Sequence, residues 1–548
     1  MKKKIIVFVL MIIAIISFNL FSFAENSNSQ FIKIGLRSGS SAVATTSLAS
    51  DKGFVFGYYS NNEFTPLYDL MNRKEICVRK DSYYLNMRDY FFEYDYDDSK
   101  DSGNSNITGP IHIQLGGSYA SKTEAIDFAN SLEAFGIEPY LSLEGRWKVW
   151  VGAFTTYNNA EKYFDELKLL LSDIDMTVIS KNSRRVQVTD NSGDIIFIYN
   201  PSYGEYTFQP KENNLVAMDN RLFRGEIIFK NAENGNLSVI NRLKIEEYLY
   251  GVLPKEISVT APGEALKAQA VAARNYAVVN RNNHNQEGFD LCVTTHCQSY
   301  GGFSAESKNT NQAVDDTKGL ILTYNGEPIS AFYHMDSGGH TENSENVWGQ
   351  KINYVRGVKD DFDDPYTWEQ KLTKNEIQKS LNQAGYSIGE IKNIYISQHS
   401  KLGSVAKLVI KGSENTVTLE KDNIRKVLGY NIIKSLKFTI MNDNIINLIG
   451  NNSDTKTELA GSFAIDEKNN ITRLRNSRNY VSNGNRIVFI QQDVVSDSDI
   501  YVFGGAGYGH ALGLSQRGAV AMAHSGYSFK EILYHYYTGV ELISTYGE

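Results

Sequence analysis

Residues 248–276, YLYGVLPKEISVTAPGEALKAQAVAARNY, decide how this chain folds. They read as a turn carrying one isolated carboxylate, Glu256, and then a helix too apolar to lie on a surface. Pro262 suits the first helical position, which needs no backbone donor. Glu264 follows in the first turn, where the helix dipole favours an anion. From 265 to 279 almost every residue is apolar, which predicts a helix buried on all sides. Lys267 and Arg274 are seven residues apart and share nearly the same face. Buried cations need partners, because unpaired buried charge is costly, and Glu256 is a nearby candidate. Two readings follow: an ion pair that only fixes packing, or a catalytic carboxyl at the edge of a core.

A chain of 548 residues predicts several domains. At 42% hydrophobic and 12% aromatic residues, it has the composition of a folded protein. The net charge of −8 excludes the basic signature of a nucleic-acid binder. Residues 1–4 are basic at three positions, residues 5–18 are apolar, and Ser22-Phe23-Ala24 forms a small-x-small site. Together they read as a signal peptide over 1–24 and a secreted protein. An uncleaved signal serving as a membrane anchor is the alternative. Three cysteines, Cys77, Cys292 and Cys297, are too few for a disulfide scaffold.

Residues 31–90 alternate apolar and polar positions between Gly/Ser/Asn clusters, a small β-rich region. Residues 91–108 are acidic and rich in turn formers, which marks a linker. In 109–182 the order strand, glycine turn, aromatic, helix occurs twice, giving a small βαββαβ unit. Its pattern of Gln114, Gly116, Gly117, Ser118 and Tyr119, then Val149, Val151, Gly152 and Phe154, resembles the SPOR family. That resemblance implies binding of septal peptidoglycan whose glycan strands lack stem peptides, with Gln114 in contact with glycan. Residues 185–548 read as one large interleaved domain of mixed α/β type, so the whole chain is multidomain α+β.

His284, Cys292, His296 and Cys297 offer two imidazoles and two thiols within a short stretch, the donor set of a structural zinc site. A Cys292–Cys297 disulfide or two inert thiols are the alternatives. Ser337, His340 and Glu342 flank a glycine pair that lets backbone approach a ligand, and all three can hydrogen-bond a sugar. Trp348 and Tyr354 add aromatic faces beyond them. Residues 504–518 are glycine-rich around His510 but lack the Lys-Ser/Thr ending of a nucleotide loop. His510, Ser515 and Gln516 therefore read as a polar set lining a groove. No Gly-x-Ser-x-Gly elbow or His-Glu-x-x-His helix accompanies these stretches.

Six stretches in one order resemble the SpoIID/LytB family: 247–256 (EYLYGVLPKE), 264–274 (EALKAQAVAAR), 292–300 (CVTTHCQSY), 337–348 (SGGHTENSENVW), 425–429 (RKVLG) and 507–518 (GYGHALGLSQRG). The resemblance covers about 185–548 and implies a lytic transglycosylase that cleaves denuded glycan strands. It implies Glu256 as the catalytic residue and Zn2+ on His284, Cys292, His296 and Cys297. Lys267 and Arg274 then serve orientation and substrate binding. A non-catalytic wall-binding protein, or an enhancer of a separate cell-wall amidase, is the alternative, as in some relatives of the LytB branch. A surface-structural protein anchored by the SPOR unit is a third. Lys255-Glu256-Ile257 replaces the acidic-Met-Pro surroundings more usual in the family.

Overall fold

The computed structural model describes residues 30–545, except 62, 88–89, 97–105 and, between 442 and 498, all but short hairpin strands. The expected signal peptide at 1–24 and the centre of the expected linker lie outside the described residues. Helices and strands are both abundant and form several sheets, an α+β arrangement. The chain divides into two compact units. The first holds Met1–Val259, Ala277–Gly319 and Ser544–Glu548, and the second holds Thr260–Tyr276 and Leu320–Ile543. Among the described residues no helix is long and apolar enough to cross a membrane.

The first unit is built on two sheets. A seven-stranded sheet runs in the order Leu291–Cys292, Phe31–Arg37, Leu237–Lys244, Glu226–Asn231, Tyr206–Pro210, Phe54–Ser60, Glu63–Asp69. In a ten-stranded sheet, Met176–Ile179, Ile111–Tyr119, Arg146–Phe154 and Tyr140–Glu144 occupy one end. With the helices Lys122–Glu133 and Tyr157–Leu170 they make a βαββαβ order. Ser121 and Thr156 cap those helices through their side chains, which satisfies amides that the helix leaves open.

That sheet does not stop at the repeat. Leu141 pairs with Phe197 in parallel, and Val186–Thr189, Glu75–Lys80 and Thr45–Ala49 continue it. Strands from 31–90 thus alternate with strands from beyond 185 in both sheets and share one core with them. Phe56 of the first sheet touches Phe197 and Tyr199 of the second, with centroids 4.9 and 4.8 Å apart. Alternation of apolar residues forecasts strands but not their partners, so this interleaving was invisible to periodicity.

The second unit has its core around Trp368, Leu381, Ile410, Phe438, Tyr501 and Phe503. Two three-stranded sheets carry most of it: Thr367–Thr373, Ile500–Ala506, Phe438–Met441, and Ile391–His399, Val405–Gly412, Thr416–Glu420. Tyr333–His334 pairs in parallel with Leu514–Ser515, which brings two distant loops side by side. The helix Gly263–Val279 is buried over most of its length, but not on all sides: Val279 at its end is exposed, and Lys267, Tyr276 and Val278 are half-buried. Pro262 stands one place earlier than anticipated, as the residue whose carbonyl accepts the helix's opening hydrogen bond from Leu266.

Candidate functional site

Glu256 is not in a turn; it is the last residue of the helix Ile245–Glu256. Pro254 is tolerated inside this helix, and the chain turns extended at Ile257. The Glu256 carboxyl is largely withdrawn from water, and burial raises its pKa. Its place at the negative end of a helix works in the same direction. One interaction opposes the rise: the Ser299 amide donates to Glu256 Oε1 at 3.1 Å. The result is a single carboxyl biased toward the protonated form, held through one oxygen.

The segment that supplies Ser299 packs along the same helix. Tyr248 Oη donates to Gln298 Oε1 at 3.2 Å, and the Gly301 amide donates to the Gly251 carbonyl at 3.0 Å. Tyr300 is fully buried and donates to Asn241 Oδ1 at 3.1 Å. Gly251 is required here, because a Cβ would fall 2.6 Å from the Tyr300 ring. Gln298, Ser299 and Tyr300 belong to the 292–300 stretch that carries the family resemblance, but nothing in the sequence gives them a place in the site.

That cluster lies immediately upstream. One donor atom from each of His284, Cys292, His296 and Cys297 lies within 4.8 Å of the others. Cys297 Sγ is 3.4 Å from His284 Nε2 and 3.5 Å from His296 Nδ1, and Cys292 Sγ is 3.7 Å from His296 Nδ1. Tetrahedral zinc, with bonds of about 2.3 Å to sulfur and 2.0–2.1 Å to nitrogen, sets its S···N edges at roughly 3.6 Å. The donor set therefore fits that ion in both chemistry and spacing. His284 Nδ1 is paired with Glu287 Oε1 at 2.7 Å, the outer carboxylate that orients a metal-binding imidazole. Both cysteines are free thiols. Burial pushes each thiol up; hydrogen bonds from Thr294 and His296 bring Cys292 down to about 7, whereas Cys297 stays at about 11.

All four donors stand out in the sequence, but Glu287 and the way the cluster is held do not. Cys292 sits on an edge strand paired with Gly35, and the Phe289 ring stacks on His284 at 4.7 Å. A Cβ at Gly35 would strike that ring at 2.6 Å, so the absence of a side chain there seats Phe289.

The two cations of the buried helix have partners of their own in the second unit. Lys267 pairs with Glu264 at 3.1 Å, one turn earlier. Arg274 is buried and donates to the Leu320 carbonyl at 3.1 Å. The neighbouring Asn275 exchanges two 2.7 Å hydrogen bonds with the backbone of Leu322. Arg274 and Asn275 thus fasten the helix to the strand Leu320–Tyr324.

Of the polar loop residues in that unit, several are consumed by the fold. Glu342 is wholly buried and accepts from Asn346 and Ser400 at 2.8 and 2.6 Å. Ser337 donates to Asp360 at 2.6 Å, and Ser515 caps the helix Gln516–His524; both are buried. His340 bonds its own neighbour's carbonyl, and Gln516 opens the helix that Ser515 caps. His510, read in the sequence as lining a groove, packs among other rings. Its ring lies 5.5 Å from His334 and 5.2 Å from Trp348, and burial holds both imidazoles neutral, His334 down to about 3. His334 and Asp360 were not anticipated. In the first unit, Gln114 is half-buried, donates to the Gly116 carbonyl at 3.2 Å and accepts from Trp150 at 3.4 Å.

Two family models match the chain. Stage II sporulation protein (SpoIID) matches residues 233–324, which contain Glu256, Ser299 and the thiol–imidazole cluster. Domain of unknown function (DUF8618) matches 324–462. An uncharacterised protein of Brachyspira hyodysenteriae is 31% identical over 313 residues, 57% of this chain and 69% of its own length. The amidase enhancer of Bacillus subtilis is 30% identical over 54% of this chain, a match spanning only 40% of that protein. Stage II sporulation protein D of Bacillus subtilis is 28% identical over 56% of this chain and 76% of its own length.

Proposed function

The chain belongs to the SpoIID family, and we propose that it is a peptidoglycan lytic transglycosylase acting on denuded glycan strands. The observation that carries this reading is the isolated Glu256 carboxyl, raised by burial and held through one oxygen. Hydrolytic glycosidases need two carboxyl groups, one as acid and one to activate water or form a glycosyl-enzyme. A lytic transglycosylase needs one. With Oε1 accepting from Ser299, the proton resides on Oε2 and passes to the glycosidic oxygen as the bond to the muramyl C1 breaks. The resulting carboxylate takes the proton of the same sugar's 6-hydroxyl as that oxygen bonds C1. The product is a 1,6-anhydro-muramyl end; no water is consumed, and Glu256 returns protonated.

His284, Cys292, His296 and Cys297 would hold a structural Zn2+, which when bound locks the segment leading to Ser299 and leaves no open position for water. The leader at 1–24 would send the protein to the cell wall, and 109–182 would contact glycan as a SPOR unit. Incubating denuded strands with the protein and measuring 1,6-anhydro-muramyl ends by mass spectrometry tests the activity. Glu256→Gln should lower it by about 100-fold or more; full activity in that variant would exclude the assignment.

A second reading follows from the 30% identity to an amidase enhancer. On that reading the chain releases no anhydro ends but accelerates a purified cell-wall amidase when the two are mixed.

A further inference from the structure

The second unit carries a cavity that the catalytic reading leaves unused. It measures about 310 Å³ and is lined chiefly by Trp348, Glu420, Lys421, Asp422, Lys426 and Tyr430. Small-ligand sites begin at about this size. Two aromatic rings stand open in it, Trp348 at 40% exposure and Tyr430 at 48%. Each is braced from behind. The Arg425 guanidinium lies 4.8 Å over the Tyr430 ring, and the Tyr430 hydroxyl donates to Asp422 at 3.2 Å. Arg425 is itself buried and donates to the Ile433 carbonyl at 3.0 Å. Trp348 meets the edge of Phe332 at 4.6 Å.

The charges of the cavity are not balanced. Glu420 is neutralised by Lys407 at 2.9 Å, and Asp422 by Arg425 at 3.2 Å. Lys421 and Lys426 have no ion-pair partner among the described residues, so the cavity faces solvent as a cationic surface between two rings. Lys421 adopts a left-handed backbone, φ 53, which side chains rarely take. Its amide bonds the Ala406 carbonyl at 3.0 Å, and the next amide bonds Val347 at 3.2 Å. This directs the amine over Gly349, beside Trp348, where an added Cβ would meet Nζ at 3.5 Å.

We propose that this cavity is a glycan subsite for a carboxylate-bearing amino sugar: a muramyl residue stacked on Tyr430 or Trp348, its lactyl carboxylate paired with Lys421 and Lys426. Flat rings suit the apolar face of a pyranose, and the lysines select a strand that carries acid groups. The inference rests on the reading that the chain acts on peptidoglycan glycan.

The test uses the full chain carrying Glu256→Gln, so that bound strands are not turned over. Calorimetric titration compares amidase-denuded glycan strands with the neutral oligomer tetra-N-acetylchitotetraose. Tyr430→Ala should weaken strand binding by roughly 3- to 10-fold, the worth of one stacked ring, and Tyr430→Phe should not. Lys426→Glu, a surface change that leaves packing intact, should weaken the strands and spare the neutral oligomer. Strand binding equal to the parent's in both Tyr430→Ala and Lys426→Glu overturns the subsite, as does no strand binding at all. If the chain without Glu256→Gln yields no anhydro ends while these binding differences persist, the catalytic reading falls and the subsite stands. Normal cleavage together with unchanged binding in both variants removes the subsite alone.

Discussion

The Ser299 amide donates a 3.1 Å hydrogen bond to Glu256 Oε1, although the two residues are 43 positions apart. Ser299 follows Cys297 by two residues, so the loop that closes the thiol–imidazole cluster also positions the carboxyl. Helix and loop are joined further by the Tyr248–Gln298 and Gly251–Gly301 hydrogen bonds. The acid thus depends on two elements that a metal ion would hold in register.

Replacing Ser299 by proline removes the amide donor and should raise the Glu256 pKa further. That amide is the one interaction that favours the charged form over the burial that disfavours it. A general acid works while protonated, so activity falls as pH rises through its folded-state pKa. The alkaline limb of the pH–rate profile should therefore move upward in Ser299→Pro. Ser299→Ala keeps the amide and should leave the limb in place. Identical limbs in all three proteins would show that the hydrogen bond does not tune the acid.

Glu256→Gln should stabilise the fold at neutral pH while abolishing activity. Burial raises the carboxyl's pKa in the folded state, so the native protein binds its proton more tightly than the unfolded chain does. Stability then falls as pH rises from the unfolded pKa through the folded one. A neutral amide of the same shape escapes that loss and still accepts from Ser299. The melting temperatures of parent and variant should converge at about pH 4, near the unfolded carboxyl value, and separate by pH 7 with the variant higher. The reverse order at pH 7 would mean that the carboxylate is stabilised by something other than this environment.

Glu287→Ala should weaken zinc binding by about 10- to 100-fold, the usual effect of losing the carboxylate behind a liganding imidazole. The pairing of His284 Nδ1 with Glu287 at 2.7 Å fixes which nitrogen faces Cys297. Competition against a chromophoric chelator measures the loss directly. Removing zinc altogether should loosen residues 298–301, seen as faster amide exchange at Ser299 and Gly301. Unchanged affinity in Glu287→Ala would place the metal elsewhere or nowhere.

The parts of this site that were legible in the sequence share one property. Glu256 and the four thiol and imidazole donors stand out by residue type within a short stretch, where chemistry speaks for itself. So does the helix Gly263–Val279, whose apolar run admits only burial. What the sequence hid is long-range pairing. Nothing local says that Phe31–Arg37 lies beside Leu291–Cys292, or that Tyr333–His334 lies beside Leu514–Ser515. For the same reason Glu342 and Ser337 looked like sugar contacts, although Ser400 and Asp360, far along the chain, already occupy them.

Gly251→Ala tests whether the acid's helix must lie against the loop that holds it. The new methyl would fall 2.6 Å from Tyr300 Cε2 and 3.0 Å from the Gly302 carbonyl. Tyr300 has nowhere to go, being buried and tied through its hydroxyl to Asn241. Either the helix Ile245–Glu256 moves outward or the loop does, and both motions stretch the Ser299–Glu256 bond. Overpacking of this kind costs about 1–3 kcal/mol, which thermal unfolding would register. The structural cost and the functional one separate in the pair Gly251→Ala with Tyr300→Phe. Losing the Tyr300 hydroxyl frees the ring to shift without opening a large cavity. It should therefore restore part of the activity lost in Gly251→Ala, even though Tyr300→Phe by itself destabilises the protein. If activity survives in Gly251→Ala while stability falls, the helix–loop contact is a packing device and the position of Glu256 does not depend on it.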